Sequence, residues 1–433
     1  LAKQQQKVGA QQMRSVDHQR ELIRHAVVNP EPVRRAIGSA LGLLCAEEVV
    51  ATRPMPVFTQ AAIDGYAVRA VDVGGERPLA ENPTEPVDPQ TVSLPVVGQV
   101  AAGSREPLRL APKQAIRVAT GAPLPALADA VLPLAWSDQG VQRVTPTQPV
   151  KSGEFIRRVG DDIQPGDVAV SAGSLIGPAQ IGLLAAVGRS KVLVYPRPRV
   201  TICSVGRELI DIDRTPGLGQ ILDVNSYALA AAAQEAGAEV FRLGIAAGEP
   251  DRLKEMLLAA AQNSEVIVLA GAVGGEGAIQ IQQVIAEIGN LDTTRVAMHP
   301  GSVQGIGMIT KPRVPVFLLP SNPVSALVVF EVFVRPLIRL ALGKRNAERR
   351  IVQARTVTAI DSQPGRRGYL RARLMRDAQT GDYLVECLSG VDGAPAHLLA
   401  GMGEANALIR IPEEVTSVKP GEEVDVLFIT EAW

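Results

Sequence analysis

Three short Gly/Pro-rich segments, each following an apolar run, hold the residues best suited to chemistry. Val200–Ser204 leads into Gly206-Arg207-Glu208-Leu209, Val266–Leu269 into Gly271–Gly277, and Val314–Leu319 into Pro320-Ser321-Asn322-Pro323-Val324-Ser325. Where the strands of a parallel sheet end on one edge, the loops that follow surround a common crevice, and such crevices bind ligands. Asn322 is a good N-cap and Pro323 suits the first helical position, so the next helix aims free amides and a positive dipole at an anion. A well-made helix start explains the same two residues without a ligand. Gly271–Gly277 can cradle an anion with backbone amides, or simply turn the chain. Glu208 offers a carboxylate to a hard cation, or pairs with Arg207 beside it.

Two further segments are harder to explain as packing. Ala61-Ala62-Ile63-Asp64-Gly65-Tyr66-Ala67-Val68-Arg69 sets a carboxylate and a Gly turn inside an apolar run, and Thr120-Gly121-Ala122-Pro123 sets a hydroxyl beside a turn. Arg157-Arg158-Val159-Gly160-Asp161-Asp162 adds both charges. Together these groups suffice for Mg²⁺ and an oxyanion, although composition alone does not bring them together.

The elements that must position these residues follow from pattern. Ser15–Val28 and Val33–Cys45 read as helices, Val50 to Asp138 as a small β-rich domain, Pro178–Ala186 as a helix and Lys191–Tyr195 as a strand. From Arg199 to Leu342 strand, loop and helix repeat, which implies a parallel α/β domain. The expected strands are Pro198–Ser204, Val240–Leu243, Val266–Leu269 and Val314–Leu319. The helices are Asn225–Ala236, Asp251–Gln262, Ile279–Ile288 and Val324–Leu342. Lys344–Arg350 reads as a basic linker, and period-two alternation then returns to the end, giving a C-terminal β domain.

Length and composition agree with several soluble domains. The chain has 433 residues, a net charge of −1, and only two Trp, five Tyr and seven Phe, so neither a nucleic-acid surface nor base-stacking platforms are expected. Cys45, Cys203 and Cys387 lie far apart in apolar runs, the pattern of reduced, buried thiols rather than disulfides or zinc. No run approaches the roughly 20 apolar residues of a membrane span. A soluble, cytoplasmic protein is predicted. Residues 1–12 are a polar, Gln-rich head, disordered or foreign, with Met13 a plausible alternative start.

In order along the chain, the motifs resemble those of the MoeA family, which includes the E domain of gephyrin. Asp64-Gly65-Tyr66-Ala67 is similar to its DGYA signature, and Thr120-Gly121-Ala122-Pro123-Leu124-Pro125 with Ala128-Asp129-Ala130-Val131 to its TGAxLP and ADAV. Arg158-Val159-Gly160-Asp161-Asp162-Ile163 resembles RxGEDI, and Gly206-Arg207-Glu208-Leu209 resembles GDEL. Asp223-Val224-Asn225-Ser226 resembles DxNS, and Leu319-Pro320-Ser321-Asn322-Pro323-Val324-Ser325-Ala326 resembles LPGNPVSA. The match runs from about residue 14 to 430.

The resemblance implies a multidomain α/β plus β protein. It would be an elongated four-domain homodimer with a central parallel α/β (MogA-like) domain and a C-terminal β-barrel-like domain. The parts would be the head 1–12; a discontinuous helical dimerisation domain, 13–55 plus 152–192; an inserted β-rich domain, 56–151; a molybdopterin-binding-like α/β domain, 193–345; and a β domain, 346–433. It also implies insertion of molybdate into adenylylated molybdopterin with Mg²⁺. Catalytic groups would be Asp64, Asp162 and Glu208, with Asp64 and Glu208 on the metal. Thr120, Gly121, Gly271, Arg295, His299, Pro320, Ser321, Asn322, Pro323 and Ser325 would bind molybdopterin or its phosphate.

Departures from the family pattern are concentrated in the same loops. GGVSxGxxD becomes Gly271-Ala272-Val273-Gly274-Gly275-Glu276-Gly277-Ala278-Ile279, replacing Ser with Gly274 and the closing Asp with Ile279. GDE becomes Gly206-Arg207-Glu208, a lysine pair becomes Arg295 and His299, PGKP becomes Pro300-Gly301-Ser302-Val303, and an acidic pair becomes Gly248-Glu249. His299 is mostly neutral at pH 7 unless a neighbouring anion raises its pKa. Each fixed charge lost from a phosphate clamp costs about 1.5–3 kcal/mol. The first expectation is therefore a gephyrin-like dimeric scaffold with an eroded site. Its partner would be a short peptide, such as the tail of the division protein FtsZ, with no cofactor. The alternative is a working molybdopterin molybdenumtransferase.

Overall fold

The long apolar runs are strands because both of their faces are covered. In the computed structural model, which describes residues 13–74, 91–106, 108–246, 250–274, 276–344, 346–388 and 399–430, a six-stranded sheet carries the α/β region. The head 1–12 and the singled-out Gly248, Glu249 and Gly275 lie outside the described residues. Sheet order is Glu239–Ala246, Arg199–Val205, Val266–Val273, Arg313–Pro320, Gly305–Thr310, Gly289–Asp292. Val266, Val268 and Ala270 pack on one face with Leu229 and Ala326; Ile267 and Leu269 pack on the other with Leu257 and Ile281. A strand buried on both sides loses its alternation and reads as one continuous run.

The first four of these strands, those expected from the pattern, are parallel as predicted, and two further strands were not anticipated. The last two form an antiparallel edge. Their glycines hide them from propensity: a Cβ at Gly289 would lie 1.9 Å from the Met308 carbonyl oxygen, and one at Gly307 2.7 Å from that of Asn290. Close approach needs glycine here, and glycine is a poor strand former. Helices Asn225–Ala236 and Pro250–Gln262 fall where the pattern puts them. The last helix of the region starts at Pro323 and runs to Ala341, interrupted by a π-turn over Phe330–Val334. Pro336, just beyond that turn, cannot donate an amide to it.

The first helix is Val16–His25, with the Ser15 hydroxyl accepting from the His18 amide, and Val16, Ile23 and Ala26 joining the α/β core. Beyond Arg350 the expected β domain is a closed five-strand barrel. Arg367–Arg376, Tyr383–Cys387, Ile351–Thr356, Glu423–Phe428 and Ala407–Ile411 pair in turn, and the last pairs back to the first. These elements all belong to one compact unit, residues 1–33 and 194–433.

Residues 34–193 form a second unit. Its five-stranded sheet, in the order Ala130–Pro133, Gly65–Val68, Ala115–Val118, Leu94–Val100, Arg143–Val144, is the expected β-rich domain. Helix Pro178–Ala186 and strand Lys191–Tyr195 also form as expected. The expected helix over Val33–Cys45 does not form. Val33–Ala36 and Leu44–Cys45 are strands flanking Lys191–Tyr195, with a single 3-10 turn at Ile37–Ser39. Gly42, at φ +79°, breaks any helix there, and the Ile37 and Ala46 amides donate to the Ser190 and Leu193 carbonyls instead. All three cysteines are buried free thiols, and no helix among the described residues is long and apolar enough to cross a membrane.

Candidate functional site

The three loops do meet, because their strands are neighbours in the sheet and parallel. Gly271 sits at φ +81°, and a Cβ on it would lie 2.3 Å from the Val205 carbonyl oxygen, so the second strand end presses directly on the first. The stretch Gly271–Gly277 is not one loop, however. The strand continues through Val273 and a helix begins at Glu276, leaving only positions 274 and 275 between them. Gly274, where the family pattern has serine, lies at φ +73° with open space around it, a conformation that a serine would adopt only under strain. Ile279, in place of the acid, is 56% exposed.

Glu208 is exposed, and its carboxylate folds back over Gly206, where an added Cβ would meet both oxygens at 2.8 Å. Arg207 is exposed as well. The third loop is built from polar contacts rather than charges. Asn322 Oδ1 accepts the Ser325 amide at 3.0 Å, Pro323 fills the first helical position, and Asn225 Nδ2 donates to the Ser321 carbonyl at 2.7 Å. Pro320 closes the strand in register with Val273.

Beneath these loops lies a residue that the candidate site left out. Asp223, 1% exposed, accepts from the Ser204 hydroxyl at 2.6 Å, the Ser226 amide at 3.0 Å and the Ser226 hydroxyl at 2.5 Å. A buried carboxylate is stable only when hydrogen-bonded in this way. It locks the end of the first strand to the start of helix Asn225–Ala236, which in turn carries Asn225 to the third loop. The D-x-N-S spacing was the available signal: a carboxylate three residues ahead of an amide at a helix start is a capping arrangement.

The PG segment is in the same unit. Arg295 is exposed and its carbonyl accepts the Arg14 amide at 2.8 Å. His299 is partly buried in a two-residue strand against Arg367–Gly368. Burial, then the nearby Arg366 charge, push its pKa below the ordinary histidine value, so it is neutral at pH 7 and is no substitute for a lysine charge.

In the second unit the structure gathers Asp64, Thr120 and Gly121. Asp64 Oδ1 accepts the Thr120 amide at 2.7 Å and its hydroxyl at 2.8 Å, and Gly121, at φ +77°, donates its amide to the Ala61 carbonyl. The Thr120 amide bond, then the hydroxyl bond, hold the Asp64 carboxyl below the usual range, so this exposed group is ionised at neutral pH. Gly65 lets the strands close, since a Cβ there would lie 2.2 Å from the Leu132 carbonyl oxygen. Asp161 serves its own turn, accepting the Arg158 amide at 2.6 Å, while Asp162 is exposed.

Asp64 belongs to residues 34–193 and Glu208 to the other unit. Among the described residues no group of three His, Cys, Asp or Glu side chains could hold a metal. Each unit thus offers a single candidate carboxylate, on which a cation such as Mg²⁺ would complete its shell with water and substrate oxygens.

Comparison with known proteins gives a consistent picture. Residues 14–188 match the MoeA N-terminal region (domain I and II), residues 201–340 a probable molybdopterin binding domain, and residues 353–429 the MoeA C-terminal region (domain IV). The chain is 56% identical over 426 residues to Molybdopterin molybdenumtransferase 1 of Mycobacterium tuberculosis strain H37Rv, covering 97% of this chain and 100% of that one. It is 36% identical to Molybdopterin molybdenumtransferase 2 of the same strain, covering 96% and 100%. A crystal structure of a molybdopterin biosynthesis MoeA protein from Pyrococcus horikoshii superposes with a TM-score of 0.78 at 30% identity, over 98% of this chain and 100% of that chain.

Proposed function

This chain belongs to the MoeA family of molybdenum cofactor biosynthesis proteins, and we propose that it is a molybdopterin molybdenumtransferase that inserts molybdate into adenylylated molybdopterin. The end-to-end likeness to relatives bearing that name carries the reading. It reverses the order expected from the loop departures, which put a dimeric scaffold with an FtsZ-tail partner first; no observation here favours that scaffold. The proposal keeps the homodimer and the domain division drawn from the motifs.

In this reading Asp64, ionised and oriented by Thr120, is the acceptor that engages the metal or the molybdate in its unit, with Asp162 in support, and Glu208 is the carboxylate that the other unit offers. Mg²⁺ supplies charge neutralisation on phosphate oxygens when it is bound. The positive end of helix Pro323–Val329, the Gly271 backbone and Ser321, all in one unit, favour the anionic pterin, and Gly121 stands beside Thr120 in the other. Arg295 brings the fixed positive charge, and His299, being neutral, gives or takes a hydrogen bond.

The test is molybdenum insertion by the purified protein and by Asp64→Ala. The unaltered chain should turn over, and the variant should lose about 100-fold or more in rate with its melting temperature nearly unchanged, because Asp64 is exposed. No turnover and no calorimetric binding of adenylylated molybdopterin by the folded, unaltered chain would reject the transferase. A fully active Asp64→Ala would reject only the role given to Asp64.

A further inference from the structure

Far along the chain from the motif loops, the C-terminal half of the last α/β helix meets the segment read as a basic linker. Two cavities of about 950 and 390 Å³ lie here, sharing Asn346, Glu348, Arg349 and Arg350 in their linings. Arg24 and Leu340 complete one side of the larger, and Arg335, Arg339 and Phe428 the smaller. All of these residues belong to one unit.

The charges in this region do not balance. Glu331 gives both oxygens to Arg349, at 2.8 Å to Nε and 3.1 Å to Nη2, and Glu235 takes Arg349 Nη1 at 2.9 Å. Arg335, only 4% exposed, makes a longer ion pair with Glu331 at 3.7 Å and donates Nη1 to the Ala347 carbonyl at 3.4 Å, its Nε having no hydrogen-bond partner among the described residues. Arg339 Nε is also buried without a partner. Glu348 is shared between Arg24 at 3.5 Å and Arg20 at 3.8 Å, and Glu21 lies 3.9 Å from Arg24. Five guanidiniums line the cavities; the carboxylates Glu21, Glu235, Glu331 and Glu348 serve Arg24, Arg335 and Arg349, while Arg339 and Arg350 have no carboxylate within ion-pair distance among the described residues. Guanidiniums that line a cavity without a carboxylate partner offer charge-assisted hydrogen bonds that an anion completes.

The geometry points to a second anion site, distinct from the transferase crevice, that binds a phosphate-class dianion against Arg339 and Arg350, either as the free ion or on a small organic molecule. The bidentate fork of arginine matches tetrahedral oxyanions, and the 950 Å³ cavity leaves space for an attached organic body.

Inorganic phosphate and phenyl phosphate, titrated separately into the full chain by calorimetry at constant ionic strength, test this. Each should bind saturably, and Arg339→Gln should weaken the event at least tenfold. Arg350→Gln, at an exposed position, should weaken it several-fold and keeps the test open if Arg339→Gln does not fold. Tighter binding of the ester assigns the larger cavity to an organic body, and equal binding assigns the free ion; both support the site. No saturable binding of either probe, or binding unchanged in both variants, overturns it. Because no readout involves turnover, the result stands apart from the transferase assay.

Discussion

The two ends of the helix that runs from Pro323 to Ala341 are built on opposite principles. At its start, Asn322 caps the Ser325 amide and Asn225 holds the Ser321 carbonyl, so neutral groups fix the loop. At its far end, Arg335 and Arg349 are buried with Glu331 as their shared carboxylate. A site made of backbone donors tolerates side-chain drift, because substituting a residue leaves its amide in place. A site made of buried charges tolerates none, because each removal strands a partner.

That contrast can be broken by substitutions at each end. Glu331→Ala should be the most disruptive, leaving Arg349 and Arg335 without their common acceptor at a cost of about 3–5 kcal/mol, read from urea unfolding. A loss under about 1 kcal/mol would mean that the charged end is solvated rather than buried. Asn322→Ala removes one cap and should cost about 1 kcal/mol in the same assay; a cost rivalling that of Glu331→Ala would erase the distinction between the ends.

The smallest effect concerns His299. Its folded-state pKa lies below the ordinary value because burial and Arg366 disfavour the charged ring. The unfolded chain therefore takes up the proton first as pH falls. Stability attached to this group is complete above about pH 6.5, and declines as pH drops from there towards the folded value. Melting temperatures from pH 5 to 8 should show that decline in the unaltered protein and a shallower one in His299→Gln. Identical profiles would remove His299 as the cause.

Much of the fold was legible because its signals are local. Helix Asn225–Ala236 is a run of alanines closed by Gly237 at φ +104°, and Val266–Val273 is an unbroken β-branched and apolar run. The edge strands at Gly289–Asp292 and Gly305–Thr310 were not legible, since their glycines answer a neighbouring strand that sequence does not reveal. The segment Val33–Cys45 misled for a related reason: its apolar spacing suits a helix, but its amides are claimed by a strand some 150 residues away. Within the candidate site, the Asp64–Thr120 pair and the Asn322 cap could be anticipated from residue type. The load on Asp223 could not, because it depends on Ser204 arriving from another strand.

The sequence by itself determined the order of elements, the loops that end the parallel strands, the reduced thiols and the family, because periodicity, capping and motif spacing are properties of neighbouring residues. Tertiary structure alone decided which arginines of the supposed linker are buried, that burial and Arg366 push the His299 pKa down, and that Asp223 ties two elements together. Those outcomes rest on desolvation and charge pairing between residues far apart in the chain, and only the folded arrangement sets those distances.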